Sequence, residues 1–420
     1  MNLYEHQKKA LNETQDFSNV AFFMDMGLGK TFVGSERMLQ IGNRVNLIVC
    51  QKSKIQDWFD HLVEHCSDQG YSFQNCTNRL ELEYFLADTP ELKKVGIINY
   101  ELAWRRKDLL NLENFTLILD ESSLIQNTKA KQTKFILKLK PKNVILLSGT
   151  PVGGKYENLW SQLHLLGWGI TEKTFLNQYV EWKSIDAGGF THWIPDGYKN
   201  VDRLKLKMRE HGCFFQKTEE VIDLPEQRFI KTKVDASKEY HRFMQDCIIT
   251  VDGDELVGDT SLTKLLYSRQ LCGQYNQEKL SAFRDLIQST NDRLLVFYSF
   301  NAELYALKAI CQECGKPVSE VNGHTKDLDA YEQDQNSVTL LQYQSGSKGL
   351  NLQKANKVIY FTLPLSSEDF EQSKKRVHRI GQERPCTYYL MICKGSVEEK
   401  ILKRLEQRKD YTDELFNQDY

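Results

Sequence analysis

The sequence has no apolar run approaching the roughly 18 residues needed to span a bilayer. Its opening stretch, MNLYEHQKKALNE, is polar and charged where a secretory signal would be apolar. Membrane insertion and export are therefore not expected, and no membrane partner is expected either. No excess of one charge sign exists: 55 Lys and Arg oppose 57 Asp and Glu, for a formal net charge of -2. That balance excludes a protein that coats polyanions through its overall field, and leaves any nucleic-acid contact to a local basic groove. Ten cysteines are scattered without a repeating spacing, which suits a reducing cytosol better than a disulfide framework. The one CxxC pair, Cys311 and Cys314, has no second pair at zinc-ligand spacing and reads as two helix cysteines. Short repeats and low-complexity tracts are missing as well. What is present is ordinary: 40% hydrophobic and 27% charged residues over 420 positions, enough for two or three domains with separate cores.

The first half alternates short apolar runs with longer amphipathic stretches. The runs are VAFFM at 20–24, NLIVC at 46–50, VGIIN at 95–99, TLILD at 116–120 and NVILL at 143–147. Each is continuous instead of alternating, as parallel strands buried on both faces require. The economical solution is a doubly wound α/β domain, whose ligands bind beyond the carboxyl ends of the strands. Residues 153–217 form a helical and hairpin excursion, with WKSIDAGGFTHWIPDGYKN as the hairpin or loop. Residues 226–290 read as mostly helical, interrupted by a turn or hairpin at TVDGDELVGDT. A second strand pattern follows in LLVFYS at 294–299, VTLLQY at 338–343, KVIYF at 357–361 and CTYYLMI at 386–392. The last helix, VEEKILKRLEQR, carries an apolar stripe of Val397, Ile401, Leu402 and Leu405. The expected division is 1–225, a helical linker at 226–290, and 291–420.

Three stretches that follow strands carry chemistry. MDMGLGKT at 24–31 joins a strand to a helix start. Gly27 and Gly29 free backbone N–H groups for phosphate, the helix dipole adds to them, Lys30 reaches the β/γ-phosphates and Thr31 places a hydroxyl on Mg²⁺. The general rule GxxxxGK[ST] wants glycine where Met24 stands. DESS at 120–123 offers two carboxylates: Asp120 to hold the metal and Glu121 to orient or deprotonate the attacking water. QSKKRVHRIGQ supplies Gln372, Arg376 and Arg379, with the two arginines three apart and so expected on one helical face. Upstream of it, SGSKGLNL at 345–352 has glycines that allow close approach to phosphate.

In this order the motifs resemble the superfamily 2 helicase-like ATPases, and within them the Swi/Snf-type DNA translocases, over nearly the whole chain. LYEHQ at 3–7 resembles the glutamine motif, which gives Gln7 the adenine-reading role. DMGLGKT is that family's form of the phosphate loop, with Met26, Gly27, Leu28, Gly29, Lys30 and Thr31 on the nucleotide, and it accounts for Met24. IVCQKSKIQDW at 48–58 resembles the segment whose start meets a DNA backbone. LSGTP at 147–151 resembles the motif coupling hydrolysis to strand contacts, through Ser148 and Thr150. FFQKTEEVIDLPEQ at 214–227 resembles the block that closes the first lobe, and GSVEEKIL the terminal helix. This chain departs from the usual pattern at Ser123, where histidine is common, at Lys375, where an acidic residue is usual, and at Phe214-Phe215, where a basic pair is usual.

The resemblance implies two RecA-like lobes that hydrolyse ATP with Mg²⁺ at the cleft between them, using Lys30, Glu121, Arg376 and Arg379, with Gln372 also at the nucleotide. It implies tracking of duplex DNA, gripped by the backbone at Lys52 and Ser53 in the first lobe and Ser347 and Lys348 in the second. Alternatives are a strand-separating DNA or RNA helicase and a nucleotide-switched clamp that hydrolyses little. The lack of appended modules points to a bacterial or phage-infected cytoplasm.

Overall fold

The computed structural model describes residues 3–187, 190–343 and 350–416. The chain divides into two compact units, Met1–Val221 with Asp410–Tyr420, and Ile222–Lys409.

The first unit is built on β1 (Asn19–Met24), β2 (Val45–Cys50), β3 (Tyr71–Asn75), β4 (Lys93–Asn99), β5 (Phe115–Asp120) and β6 (Asn143–Ser148). An antiparallel ribbon of β7 (Val180–Ala187) and β8 (Phe190–Tyr198) precedes the last strand, β9 (Cys213–Gln216). The main sheet runs β3-β4-β2-β5-β6-β1-β9, and every neighbouring pair is parallel. All five apolar runs of the sequence are strands of this sheet. Val20, Ala21, Phe22, Phe23, Leu47, Ile48, Leu117, Ile118, Ile145 and Leu146 are all fully buried. Each large side chain among them contributes about 1.5–3 kcal/mol by leaving water, so this sheet anchors whatever its strand ends carry. Helices α1 (Glu5–Glu13), α2 (Lys30–Ile41) and α3 (Ile55–Cys66) belong to this unit.

Register brings the strand ends into line. Leu147 of β6 pairs with Phe22 of β1 on one side and with Asp120 of β5 on the other. The residues immediately beyond, in the glycine loop, at Glu121 and at Ser148, therefore emerge together.

The second unit contains β10 (Gln227–Asp235), the hairpin of β11 (Ile248–Val251) and β12 (Asp254–Val257), β13 (Leu294–Tyr298), β14 (Val318–Val321), β15 (Lys326–Asp327), β16 (Val338–Gln342), β17 (Lys357–Tyr360) and β18 (Cys386–Lys394). Its sheet runs β10-β18-β17-β13-β16-β14-β15, parallel except for β14 with β15. Both sheets thus have the parallel, helix-covered order expected of RecA-like lobes. Residues 227–235, expected within a helical linker, are instead an edge strand that pairs with β18 over nine positions. Its consecutive residues Arg228, Phe229 and Ile230 are all exposed, so it lacks the buried continuous apolar run of a central strand. The acidic interruption at 250–260 is a hairpin, turned at Asp252 and Gly253 with positive φ. In the C-terminal helix, Ile401, Leu402 and Leu405 are buried in the second unit's core and Val397 packs against it.

Candidate nucleotide site

The strand order β5-β6-β1 puts three motif-bearing loops side by side at the carboxyl edge of the first sheet. The loop after β1 turns through Gly27 (φ 88) and Gly29 (φ 74) before α2 starts at Lys30. Gly29 has a second reason to be glycine: a Cβ there would collide with the Gln7 amide. A Cβ on Gly27 would meet nothing within 4 Å, so the loop is open on that side. Lys30 Nζ donates to the carbonyls of Met24 (2.8 Å) and Asp25 (3.1 Å), folding the ammonium back over its own loop. The far end of the loop is tied down by Asp25, whose Oδ2 accepts from the backbone N–H (3.0 Å) and hydroxyl (3.2 Å) of Thr218. Gln7 is buried and engaged on both sides: Nε2 donates to Leu28 O (3.2 Å) and Oε1 accepts from Tyr4 N–H (2.9 Å). His6 reaches the same Leu28 carbonyl at 3.1 Å. Gln7 therefore braces the loop that is expected to hold phosphate. Met26 and Lys30 also flank Gly149, where a Cβ would stand 3.3 Å from Met26 Cγ and 3.4 Å from Lys30 Nζ.

Asp120 ends β5 and Glu121 follows in a left-handed conformation (φ 57, ψ 60). This backbone state is strained for a non-glycine residue, and it separates the two carboxylates. Asp120 Oδ2 accepts from the Trp58 indole (2.9 Å), and its carbonyl accepts from the Tyr100 hydroxyl (3.0 Å). Burial pushes the Asp120 carboxyl above its ordinary value, against the Trp58 hydrogen bond and the nearby Lys30 charge, which both lower it. Glu121 Oε1 accepts two hydroxyls, from Ser148 (2.9 Å) and Ser123 (3.0 Å). Ser148 Oγ in turn accepts from Thr150 N–H (3.2 Å), while Thr150 Oγ1 is buried with no hydrogen-bond partner among the described residues. Ser123, standing where histidine is usual, thus acts on the second carboxylate directly. Lys52 and Ser53 are exposed in a short turn at the head of α3.

In the second unit the arginine segment differs from expectation. The helix Ser367–Lys374 stops before either arginine. The Arg376 carbonyl accepts from Leu352 N–H (3.1 Å), a long-range partner in place of a continued helix. The two arginines do not share a helical face. Arg376 is buried and donates to Leu350 O (3.0 Å), whereas Arg379 is partly exposed and bonds Asn351 Oδ1. Burial lowers the Arg379 pKa from its ordinary value. Gln372 is buried and donates to Glu368 (3.0 Å). Ser347 and Lys348 lie outside the described residues.

The residues fit a magnesium nucleotide: an open glycine loop at a helix start, a lysine beside it, and a carboxylate with one oxygen held by an indole. A second group of metal-type donors, Cys272, Cys393 and Glu398, is buried with its donor atoms within 4.8 Å of one another. It already contains its cation, since Lys279 Nζ lies 2.6 Å from Glu398 Oε1. Charge there is balanced without a metal ion.

Sequence reasoning assigned no role to Trp58, Asp25 or His6. Trp58 closes the IVCQKSKIQDW segment, but an indole four residues into a helix reads as core, and only the fold reveals its partner 62 positions away.

Two parallel sheets and a glycine-lysine loop beside paired carboxylates define a helicase-like nucleotide-site protein. Residues 6–281 match the SNF2-related domain and residues 278–381 the helicase conserved C-terminal domain. The chain belongs to the SNF2-related family. It is 24% identical over 93% of its length to YwqA of Bacillus subtilis, provisionally named an ATP-dependent helicase/translocase, covering 46% of that protein. It is 23% identical over 91% of its length to the ISWI chromatin-remodeling complex ATPase ISW1 of Saccharomyces cerevisiae, covering 37% of it. The chain therefore spans less than half of these relatives. A structure of the Sulfolobus solfataricus SWI2/SNF2 ATPase core in complex with dsDNA aligns with 98% of this chain and 92% of its own, at 20% identity and a TM-score of 0.46.

Proposed function

We propose that the protein is an ATP-dependent motor that tracks duplex DNA, hydrolysing ATP with Mg²⁺. The observation that carries this reading is the convergence of the glycine loop, Asp120-Glu121 and Ser148-Gly149-Thr150 at the ends of three adjacent strands. Family membership supports it, as does the helicase/translocase name carried by the Bacillus subtilis relative.

The reaction moves the γ-phosphoryl group of ATP to water, giving ADP and phosphate. Lys30 would leave its two loop carbonyls to donate to phosphate oxygens, exchanging neutral acceptors for charged ones. Glu121 takes the proton of the attacking water, with Ser148 and Ser123 holding its Oε1 so that the carboxylate arrives oriented. Thr31 and Asp120 would hold Mg²⁺, which supplies charge neutralisation at the phosphate oxygens. Arg379, and Arg376 once released from Leu350, are proposed to stabilise charge on the transferring group. Nucleic-acid contact is proposed through Lys52 and Ser53, and through Ser347 and Lys348, at phosphates with little base reading. A cytoplasmic site of action in a bacterium or phage-infected cell completes the proposal.

The test is steady-state ATP turnover with duplex DNA, single-stranded DNA and RNA supplied separately. Stimulation by duplex, lost in Lys30→Ala, is the expected result. Displacement of a strand from a tailed duplex would favour a helicase. The absence of any stimulation would favour a nucleotide-switched clamp.

A further inference from the structure

Helix α3 touches one residue expected to hold the metal ion, Asp120, and the neighbours of the other, Thr31. Trp58, 1% exposed, donates its indole N–H to Asp120 Oδ2 at 2.9 Å. One turn later His61 packs edge-on against Trp58, with ring centroids 6.0 Å apart, and its Nε2 lies 2.9 Å from Ser35 Oγ. Ser35 Oγ lies 2.8 Å from the Thr31 carbonyl, within the first turn of α2. Phe32, next to Thr31, meets the same His61 ring at 4.7 Å. The indole and the imidazole of one helix thus touch the surroundings of Asp120 and of Thr31, two positions that lie on separate elements. An indole N–H is a donor only, so a carboxylate oxygen that accepts from it is held by that bond. The bond orients the carboxylate and leaves Oδ1 as the oxygen without this partner.

We propose that Trp58 is a positioning residue for the metal-holding carboxylate: its N–H pins Asp120 Oδ2 and leaves the other oxygen for the divalent ion of the nucleotide. The proposal rests on the nucleotide-site reading above and goes beyond it by assigning Trp58 a role toward the metal. Partners of metal-holding carboxylates typically change metal affinity by 10–100-fold when removed. A purely space-filling indole would instead act through packing, and an isostere of the same shape would replace it without consequence.

The experiment measures binding of a fluorescent non-hydrolysable ATP analogue to the full chain across a Mg²⁺ titration, with EDTA as the metal-free reference. Trp58→Phe removes the N–H with some loss of packing. Site-specific replacement of Trp58 by 3-benzothienyl-alanine, with sulfur in place of the indole N–H, keeps the shape and guards against a folding defect. The expected result is about a tenfold or larger rise in the Mg²⁺ concentration for half-maximal binding, with metal-free binding and the melting temperature of the isostere unchanged. An unchanged Mg²⁺ half-point in the isostere overturns the proposal. Asp120→Asn, measured in parallel, separates the two levels. If it shifts the Mg²⁺ half-point and the isostere does not, Trp58 loses its role and the site stands. If Asp120→Asn shifts nothing, the metal assignment and the proposal fall together.

Discussion

The two sheets present opposite chemistry at their carboxyl edges. Beyond β5, β6 and β1, Asp120 and Glu121 are partly buried residues, and one oxygen of each accepts hydrogen bonds from the protein: Asp120 Oδ2 from Trp58, and Glu121 Oε1 from Ser148 and Ser123. Beyond β13 and β17, Glu303 is wholly buried and its oxygens are committed: Oε2 accepts the N–H groups of Ser299 (2.9 Å) and Phe300 (3.1 Å), and Oε1 accepts the Thr362 hydroxyl. Arg269 closes the same corner, donating to Ser299 Oγ and Leu363 O at 2.9 Å each. Burial raises the pKa of both Asp120 and Glu303, so a displaced pKa by itself does not mark a reactive site. What separates the two edges is that the protein engages both Glu303 oxygens, whereas its hydrogen bonds to Asp120 and Glu121 fall on one carboxylate oxygen of each. Two similar strand patterns thus end in the proposed nucleotide loop in one unit and in a fully hydrogen-bonded buried carboxylate in the other.

The contrast can be broken from either side. The largest effect is expected from the arginine proposed to act on the transferring phosphate: Arg379→Ala should lower ATP hydrolysis by about 10³-fold while nucleotide binding survives. Single-turnover hydrolysis alongside equilibrium binding checks this. Undiminished hydrolysis would remove the second unit from the reaction. Glu303→Ala should behave in the reverse manner. It strands two backbone N–H groups and a hydroxyl in a buried corner, and should cost about 3 kcal/mol or more of stability. Urea unfolding measures this, and turnover by the folded fraction should stay near wild type. The smallest effect concerns pH. Burial, with the charge of His65 assisting, lowers the His61 pKa from 6.5 to about 4. The unfolded chain therefore takes up the proton first, and the stability gained from neutral His61 is present above pH 6.5 and lost as pH falls toward about 4. His61→Phe should flatten the melting temperature over that window; a retained slope would assign the acid sensitivity elsewhere.

Much of this contrast is written in the chain, for identifiable reasons. The strands of both units that lie deepest are continuous apolar runs, because a parallel strand covered on both faces has no polar side. The glycine loop and DESS were legible because their spacing from a strand end is itself chemical. β10 escaped because its exposed Arg228, Phe229 and Ile230 blur an edge strand into its surroundings. The arginine pair was misplaced because residue spacing implies a shared face only while a helix lasts, and here the chain leaves the helix at Lys374 to bond Leu352. Trp58 and the Ser148 half of the hold on Glu121 depend on pairings across 62 and 27 positions, which no local pattern encodes.

The most direct test is the Glu121→Gln variant, with nucleotide affinity and ATP turnover measured on the same preparation in the presence of duplex DNA. The neutral amide keeps the shape and can still accept from Ser148 and Ser123, but cannot take a proton from water. Wild-type affinity with turnover reduced to background is the predicted outcome. Wild-type turnover would contradict the placement of the chemistry at this edge of the first sheet.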